Sequence, residues 1–153
     1  MKEIIVYEMQ YIGKGILSTD VKLIPFQENY YSEYERIYNE CFYSMRKELD
    51  VEPYNFYSDF DQLKDKMKDI FLLLQDQIIV GSVACYGNEI DDLVVNKKYQ
   101  NKGIGQKLLL WAINHIRVYS DNAIIIHVAK WNEKALSIYK SNDFIITKTE
   151  KVR

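Results

Sequence analysis

From Leu93 to Gly105 the chain reads Leu-Val-Val-Asn-Lys-Lys-Tyr-Gln-Asn-Lys-Gly-Ile-Gly, an apolar strand, a basic loop and two glycines that open an amphipathic segment. That order suits an anion. The N–H groups of a first helical turn have no intrahelical acceptor and sit at the positive end of the helix dipole. Glycine also lacks the Cβ that would hold a phosphate off. Lys97, Lys98, Lys102 and Lys107 add charge. The pattern is neither the G-x-x-x-x-G-K-[ST] nucleotide loop nor the G-x-G-x-x-G fingerprint, whose third glycine is Leu108 here. On spacing alone, a plain tight turn into a helix is the competing reading.

The elements around this turn follow from hydrophobic periodicity. Residues 2–7 and 21–26 are short, β-branched or aromatic runs parted by Gly13 and Gly15, and read as strands. Apolar positions at three- and four-residue steps predict a helix over 28–41, and a second helix is expected over 59–68. Residues 70–74 and 78–84 bracket Gln75-Asp76-Gln77 as a hairpin, and 89–95 is a further strand. Ile104, Leu108, Leu109, Ala112, Ile113 and Ile116 form the apolar stripe of a helix over 103–118. The run 123–128 reads as a buried strand, Asn132 as the cap of a helix reaching 142, and 144–149 as a last strand.

Composition excludes several classes. At 153 residues, 48% hydrophobic and 27% charged, the chain is expected to fold as one domain without staples. Cys41 and Cys85 lie far apart, and with only His115 and His127 they make no zinc or redox spacing, so no metal and a reducing cytoplasm are expected. No run of eighteen apolar residues occurs, and 1–10 lacks the build of a secretory leader, so membrane spanning and secretion are not expected. A net charge of −2 argues against nucleic acid as a partner. The charge is uneven, with eleven acidic against six basic residues over 28–69 and eleven basic against four acidic over 96–153. A cationic and an anionic ligand in different parts of one site would suit that division, as would solvated helix faces.

Gln100-x-x-Gly103-x-Gly105 after a strand resembles the Q/R-x-x-G-x-G/A pyrophosphate signature of the GNAT N-acetyltransferase superfamily. The run Asn132-x-x-Ala135-x-x-Ile138-Tyr139-Lys140-Ser141-Asn142-Asp143-Phe144 resembles that family's closing segment, N-x-x-A-x-x-[LI]-Y-x-x-x-G-F. Asp143 replaces the usual glycine, and aspartate tolerates the left-handed backbone such a helix-ending turn needs. The resemblance spans 70–149. It implies a mixed α/β fold with a central mixed sheet of six to seven strands, about four flanking helices, and two splayed parallel strands holding acetyl-CoA. It divides the single domain 1–153 into an acceptor side, 1–69, and an acetyl-CoA core, 70–149.

The resemblance also assigns roles. Leu93 and Val95 would offer main-chain contacts to the pantetheine, and a main-chain N–H near Leu93 or Val94 would polarise the thioester. Backbone N–H groups of Gln100, Asn101, Lys102, Gly103, Ile104 and Gly105 would hold the pyrophosphate, which makes the glycines matter more than the Lys102 charge. Asn132 would face the cofactor as well as cap its helix. Tyr139 matches the general acid that protonates the departing thiolate. A lysine-like amine costs about 4–5 kcal/mol to deprotonate at pH 7, so a base is needed. Alternation places Glu89, Asp91, Leu93 and Val95 on one strand face and Ile90, Asp92 and Val94 on the other, barring a bulge. Some family members carry a glutamate at the Glu89 position, so Glu89 ranks first as base and Asp91 second, with Asp92 read as a solvated strand-end residue. His115 reads as a surface or core histidine, and His127 as a residue near the cofactor edge. The acidic, tyrosine-rich 28–69 segment suits a cationic amine as acceptor, with packing helices as the alternative. An acyl-CoA-binding module without turnover is the rival function. The N-terminal and C-terminal strands could each pair with another chain, which leaves a homodimer open.

Overall fold

A computed structural model of the chain describes residues 3–15 and 17–152. Seven strands form one mixed sheet: β1 (Ile4–Tyr11), β2 (Ile24–Pro25), β3 (Ile70–Gln75), β4 (Ile78–Tyr86), β5 (Glu89–Val95), β6 (Ile125–Ala129) and β7 (Phe144–Val152). Their order across the sheet is β2-β3-β4-β5-β6-β1-β7. Three α-helices cover it: α1 (Tyr31–Glu48), α2 (Ile104–Tyr119) and α3 (Glu133–Ser141). No helix among the described residues is long and apolar enough to cross a membrane.

The sheet separates two cores. Helix α1 seals one face, where Tyr34, Ile37 and Tyr38 pack on Ile70, Leu72, Ile79 and Val94. On the other face Leu108, Leu109, Ala112, Ile113 and Ile116 of α2 and Tyr139 of α3 pack on Met9, Val83, Ile90, Ile126 and Val128. The α2 stripe read from periodicity is therefore the buried face of that helix.

Several expectations need correction. The helix expected over 59–68 is only two 3₁₀ turns, Phe60–Gln62 and Met67–Asp69. Asp59 and Gln62 form a capping box, yet the run 64–66 is all charged. Leu63 alone is fully buried, too little apolar face to carry a costly helical nucleus. Of the first expected strand, Lys2 lies outside the described residues. Strand β1 pairs antiparallel with both β6 and β7, so it has no free edge for another chain, whereas β7 ends the sheet. Asp143 does take the left-handed backbone expected of it, at φ 67°.

The feature that builds the site is the parting of β5 and β6. These parallel strands pair only through Glu89 with Ile125 and Ile90 with Ile126, then diverge. A bulge in β5 accompanies the split: Ala84 pairs with Asp91 and Ser82 with Val94, so Asp92 and Leu93 together oppose Val83. Asp92 sits at φ 48°, the backbone that absorbs the extra residue.

Candidate active site

The bulge overturns the simple alternation of β5. Ile90 and Val94 would share a face in a regular strand, but Ile90 packs in the α2 core and Val94 in the α1 core. Leu93 and Val95 now lie on the Ile90 side. The acids are thereby released from the apolar face and gathered at the opening between β5 and β6.

That opening is a cleft of two joined cavities. The first, about 270 Å³, is lined by Tyr38, Phe42, Met45 and Arg46 of α1, by Asp91, Asp92 and Leu93, by Ile126 to Ala129 of β6, and by Asn132, Ala135, Ile138 and Tyr139. The second, about 310 Å³, is lined by Leu93, Val94, Val95, Gln100, Asn101, Gly103, Ile104, Gly105, Asn132 and Lys134, with Cys41 and Phe42 of α1. Phe42, Leu93, Asn132, Ala135 and Ile138 belong to both. One end of the cleft is thus acidic, the other glycine-walled with a lysine at its rim.

At the glycine end, Gly103 precedes α2 at φ 81°, and a Cβ there would meet nothing within 4 Å. A Cβ on Gly105 would point at Ile138 Cδ1, Val95 Cγ2 and Leu93 Cδ2, 3.7 to 4.0 Å away, inside the cleft. The open first turn of α2 and the glycines leave a cradle that a phosphate fits. Gln100 Nε2 donates to the Val95 carbonyl at 3.0 Å and Cys41 Sγ donates to the same oxygen at 3.1 Å. Because the Asn96 N–H bonds Val80 of β4, alternation turns the Val95 main chain into the cleft. Its carbonyl is occupied and its N–H is what remains for a ligand, a narrower offer than the one expected from Val95. Lys102 does not line the cleft; its Nζ stands 5.5 Å from the Tyr99 ring centroid. Lys134, which the sequence reading missed, does line it and donates to Asn101 Oδ1 at 2.7 Å. Asn132 accepts from the Ala135 N–H at 3.2 Å as the cap of α3 and also faces the cleft.

At the acidic end, Asp91 stands at the mouth, open to water on one side. The protein packed around it and the neighbouring Asp92 carboxylate push its carboxyl up to about 6, against the pull of the Asp92 N–H, which donates to Asp91 Oδ1 at 2.7 Å. Asp92 is not the solvated residue expected. Tyr38 Oη donates to one of its oxygens and Tyr86 Oη to the other, each at 3.0 Å. This pair of tyrosines clamps the carboxylate and with it the bulge. Hydrogen bonds to a charged group are worth about 1.5–3 kcal/mol, so Tyr38→Phe is expected to lower unfolding free energy by about 2 kcal/mol in urea titrations.

Tyr139 is buried, and its hydroxyl makes no hydrogen bond to another described residue. Burial, with the nearby Asp91 charge, raises its pKa well above the usual phenol value, so it holds its proton at neutral pH. Glu89 lies outside the cleft lining. Its Oε2 meets His127 Nδ1 at 3.2 Å, and His127 Nε2 meets Glu8 Oε1 at 3.2 Å. Of the seven tyrosines of 28–69, Tyr34, Tyr38 and Tyr57 are buried, and Tyr38 alone of the seven lines the acidic cavity. His115 stacks on Trp111 at 4.8 Å, remote from the cleft. Among the described residues no group of three or more His, Cys, Asp or Glu is placed to hold a metal ion.

The description "Acetyltransferase (GNAT) family" belongs to the family model that matches residues 31–144, three quarters of the chain and both ends of the cleft. The chain belongs to the GNAT acetyltransferase family. No curated protein matches it in sequence. Solved GNAT structures share its fold at low identity. A GNAT-family acetyltransferase from Colwellia psychrerythraea superposes with a TM-score of 0.75 at 10% identity, over 99% of this chain and 56% of that one. The PaiA N-acetyltransferase of Thermoplasma acidophilum, solved with coenzyme A, gives 0.64 at 18% identity, over 88% of this chain and 100% of that one. A Staphylococcus aureus GNAT-family acetyltransferase gives 0.56 at 21% identity, over 80% and 82%. This chain spans about half to two thirds of the chains it matches first.

GNAT acetyltransferases take the acetyl group from acetyl-CoA, and the glycine end of the cleft fits that molecule's pyrophosphate. Gly105→Ala gives a clean separation of fold and binding. The added Cβ makes only ordinary contacts and replaces glycine within a helix, which favours folding by about 0.5–1 kcal/mol. It also narrows the cradle, so acetyl-CoA affinity by calorimetry is expected to fall about tenfold, or about 1.4 kcal/mol, while Tm holds or rises.

Proposed function

We propose that this chain transfers the acetyl group of acetyl-CoA to a primary amine of a small molecule or peptide, by direct attack with both substrates bound in the cleft. The observation that carries the reading is that Asp91 and Tyr139 line one cavity where β5 and β6 part, at the end of a cleft whose other end is the glycine cradle. Acetyl-CoA supplies the activated acyl group. The chain supplies position and proton handling.

Asp91 is the base. With its carboxyl near 6 it is mostly ionised at pH 7, yet basic enough to take a proton from an ammonium group held beside it. Glu89, ranked first on resemblance, is the weaker candidate because it faces His127 rather than the cleft. Tyr139 is the acid, a phenol kept protonated by burial where negative charge would develop. Leu93 and Val95 offer main-chain groups past the bulge, Gly103 to Gly105 and Lys134 hold the phosphate end, and Asn132 sits where the two cavities meet. Asp91 and Asp92 give the acceptor end its preference for a cation. The whole of 1–153 acts as one domain in this reading, without metal.

The test is thiol release from acetyl-CoA with a panel of primary amines: spermidine, an aminoglycoside, free lysine, and peptides with a free N-terminus or a lysine. Amine-dependent release supports the proposal. Acetyl-CoA binding with no release above slow hydrolysis for every amine would instead support an acyl-CoA-binding module.

A further inference from the structure

The acidic end of the cleft also holds a cation that the proposed reaction does not use. Arg46, in the last turn of α1, lines the same cavity as Asp91, Asp92 and Tyr139. We propose that Arg46 binds a carboxylate of the acceptor, so that the amine taken by this cleft is a zwitterion, an amino acid or short peptide, rather than a polyamine or an amino sugar. The inference rests on the proposed reaction and names the class of amine it takes.

An arginine in an acidic cavity would ordinarily be neutralised there. Here the carboxylates are engaged elsewhere: Asp92 accepts from Tyr38 and Tyr86, and Asp91 from the Asp92 N–H. Among the described residues the half-buried Arg46 has two partners and no ion pair. Its Nη1 donates to the Pro53 carbonyl at 3.0 Å, and its Cζ stands 4.8 Å from the Phe56 ring centroid. A guanidinium carries its N–H donors in a rigid fork, and the rest of this fork is free for a planar carboxylate. Arg46 is not needed to fasten the 49–58 segment, because Asn39 already exchanges two hydrogen bonds with the Tyr57 main chain.

The place of Arg46 along the wall suits a molecule with opposite charges at its ends. Phe56 links the guanidinium to Tyr38, the two rings lying 6.2 Å apart, and Tyr38 holds Asp92. Phe42 and Met45 line the wall beside Arg46 and offer apolar contact to the carbon chain of the acceptor. The ammonium group then lies at Asp91 and Asp92, and the carboxylate at Arg46. The other basic side chain on this wall, His127, stands between Glu8 and Glu89, and Lys134 lines the other cavity. A polyamine along the same wall would bring a second ammonium to the guanidinium, and like charges brought together oppose binding.

The test uses matched pairs in which the carboxylate is exchanged for a carboxamide of the same shape: glycine and glycinamide, 4-aminobutyrate and 4-aminobutyramide, lysine and lysinamide, alanylalanine and its C-terminal amide. Calorimetry of each pair on wild type with coenzyme A present needs no turnover. At least one acid is expected to bind about tenfold or more tighter than its amide. In Arg46→Gln, which can still donate to the Pro53 carbonyl, that ratio is expected to fall to within about twofold of one. The ratio is not moved by a general loosening of α1, which would weaken both members of a pair. Wild type that binds the amides as well as the acids, or that binds no member of any pair, would overturn the proposal, as would a folded Arg46→Gln that keeps the preference. Should Arg46→Gln not fold, Arg46→Lys takes its place: the charge stays and the fork is lost, so a smaller fall is expected and an unchanged ratio would overturn the proposal. Thiol release from acetyl-CoA with the same pairs separates this inference from the proposed function. Equal release with acids and amides would overturn the Arg46 assignment and leave acetyl transfer standing. Preferential binding of acids without release would support the assignment and count against transfer.

Discussion

Asp91→Asn is expected to lower kcat/KM about a hundredfold at pH 8, within the range a positioned general base supplies, and to lack the rise of kcat/KM through about pH 6 expected of wild type as Asp91 ionises. The same substitution is expected to stabilise the protein. Folded Asp91 keeps its proton to about pH 6, whereas an unfolded aspartate loses it near 3.9. The folded state therefore binds more protons in that window, and stability falls as pH rises through it. Above it the charged carboxylate, beside Asp92, works against the fold, and asparagine removes that charge. Wild type and variant should unfold alike below pH 4, and the variant should have the higher Tm at pH 8. Unchanged activity at pH 8 would move the base elsewhere, with Glu89 next in line through His127.

Tyr139→Phe is expected to lower kcat by about a hundredfold or more, the effect of removing a positioned acid or a hydrogen bond to developing charge. KM for acetyl-CoA should stay within about twofold, because the ring keeps its packing against Phe144, 6.1 Å away between centroids. The hydroxyl makes no hydrogen bond to another described residue. Its loss should thus leave stability nearly unchanged, which separates a catalytic effect from a folding one. Pre-steady-state thiol release would place the defect in acyl transfer rather than in product release. A variant with full kcat across pH would leave Tyr139 as a wall of the cavity only.

The two ends of the cleft were legible in the sequence to different degrees. The glycine turn was readable because a strand, a basic loop and a helix start are local, and the chemistry there belongs to backbone N–H groups that glycines advertise. The α2 stripe and the Asn132 cap were readable for the same reason. The acidic end was legible only in part: Tyr139 and Asp91 were named from the resemblance, but which strand face each acid takes depends on a bulge. A single extra residue at Asp92 exchanges the faces of everything after it, and no composition signal marks a bulge. Tyr38 and Tyr86, which hold that bulge in place, lie 54 and 6 residues from Asp92 along the chain. The Glu8–His127 contact spans 119 residues, and only the insertion of β1 beside β6 brings it about. Of the tyrosines of 28–69, Tyr34, Tyr38 and Tyr57 belong to the core that α1 closes over the sheet, the packing alternative for that segment, and Tyr38 also reaches the acidic cavity. The short run 59–68 carried a helix cap without the apolar face to use it.

The central claim, that this cleft is built for acetyl-CoA, is tested most directly by thermal unfolding with and without acetyl-CoA, with ATP and NAD as controls. At a hundredfold excess over Kd, binding adds about 2.7 kcal/mol, or roughly 5–10 °C in Tm for a domain of this size. Tm is expected to rise by that amount with acetyl-CoA, to rise less in Gly105→Ala at the same concentration, and to stay put with ATP or NAD. A folded protein whose Tm is unmoved by acetyl-CoA, or moved equally by all three, would contradict it.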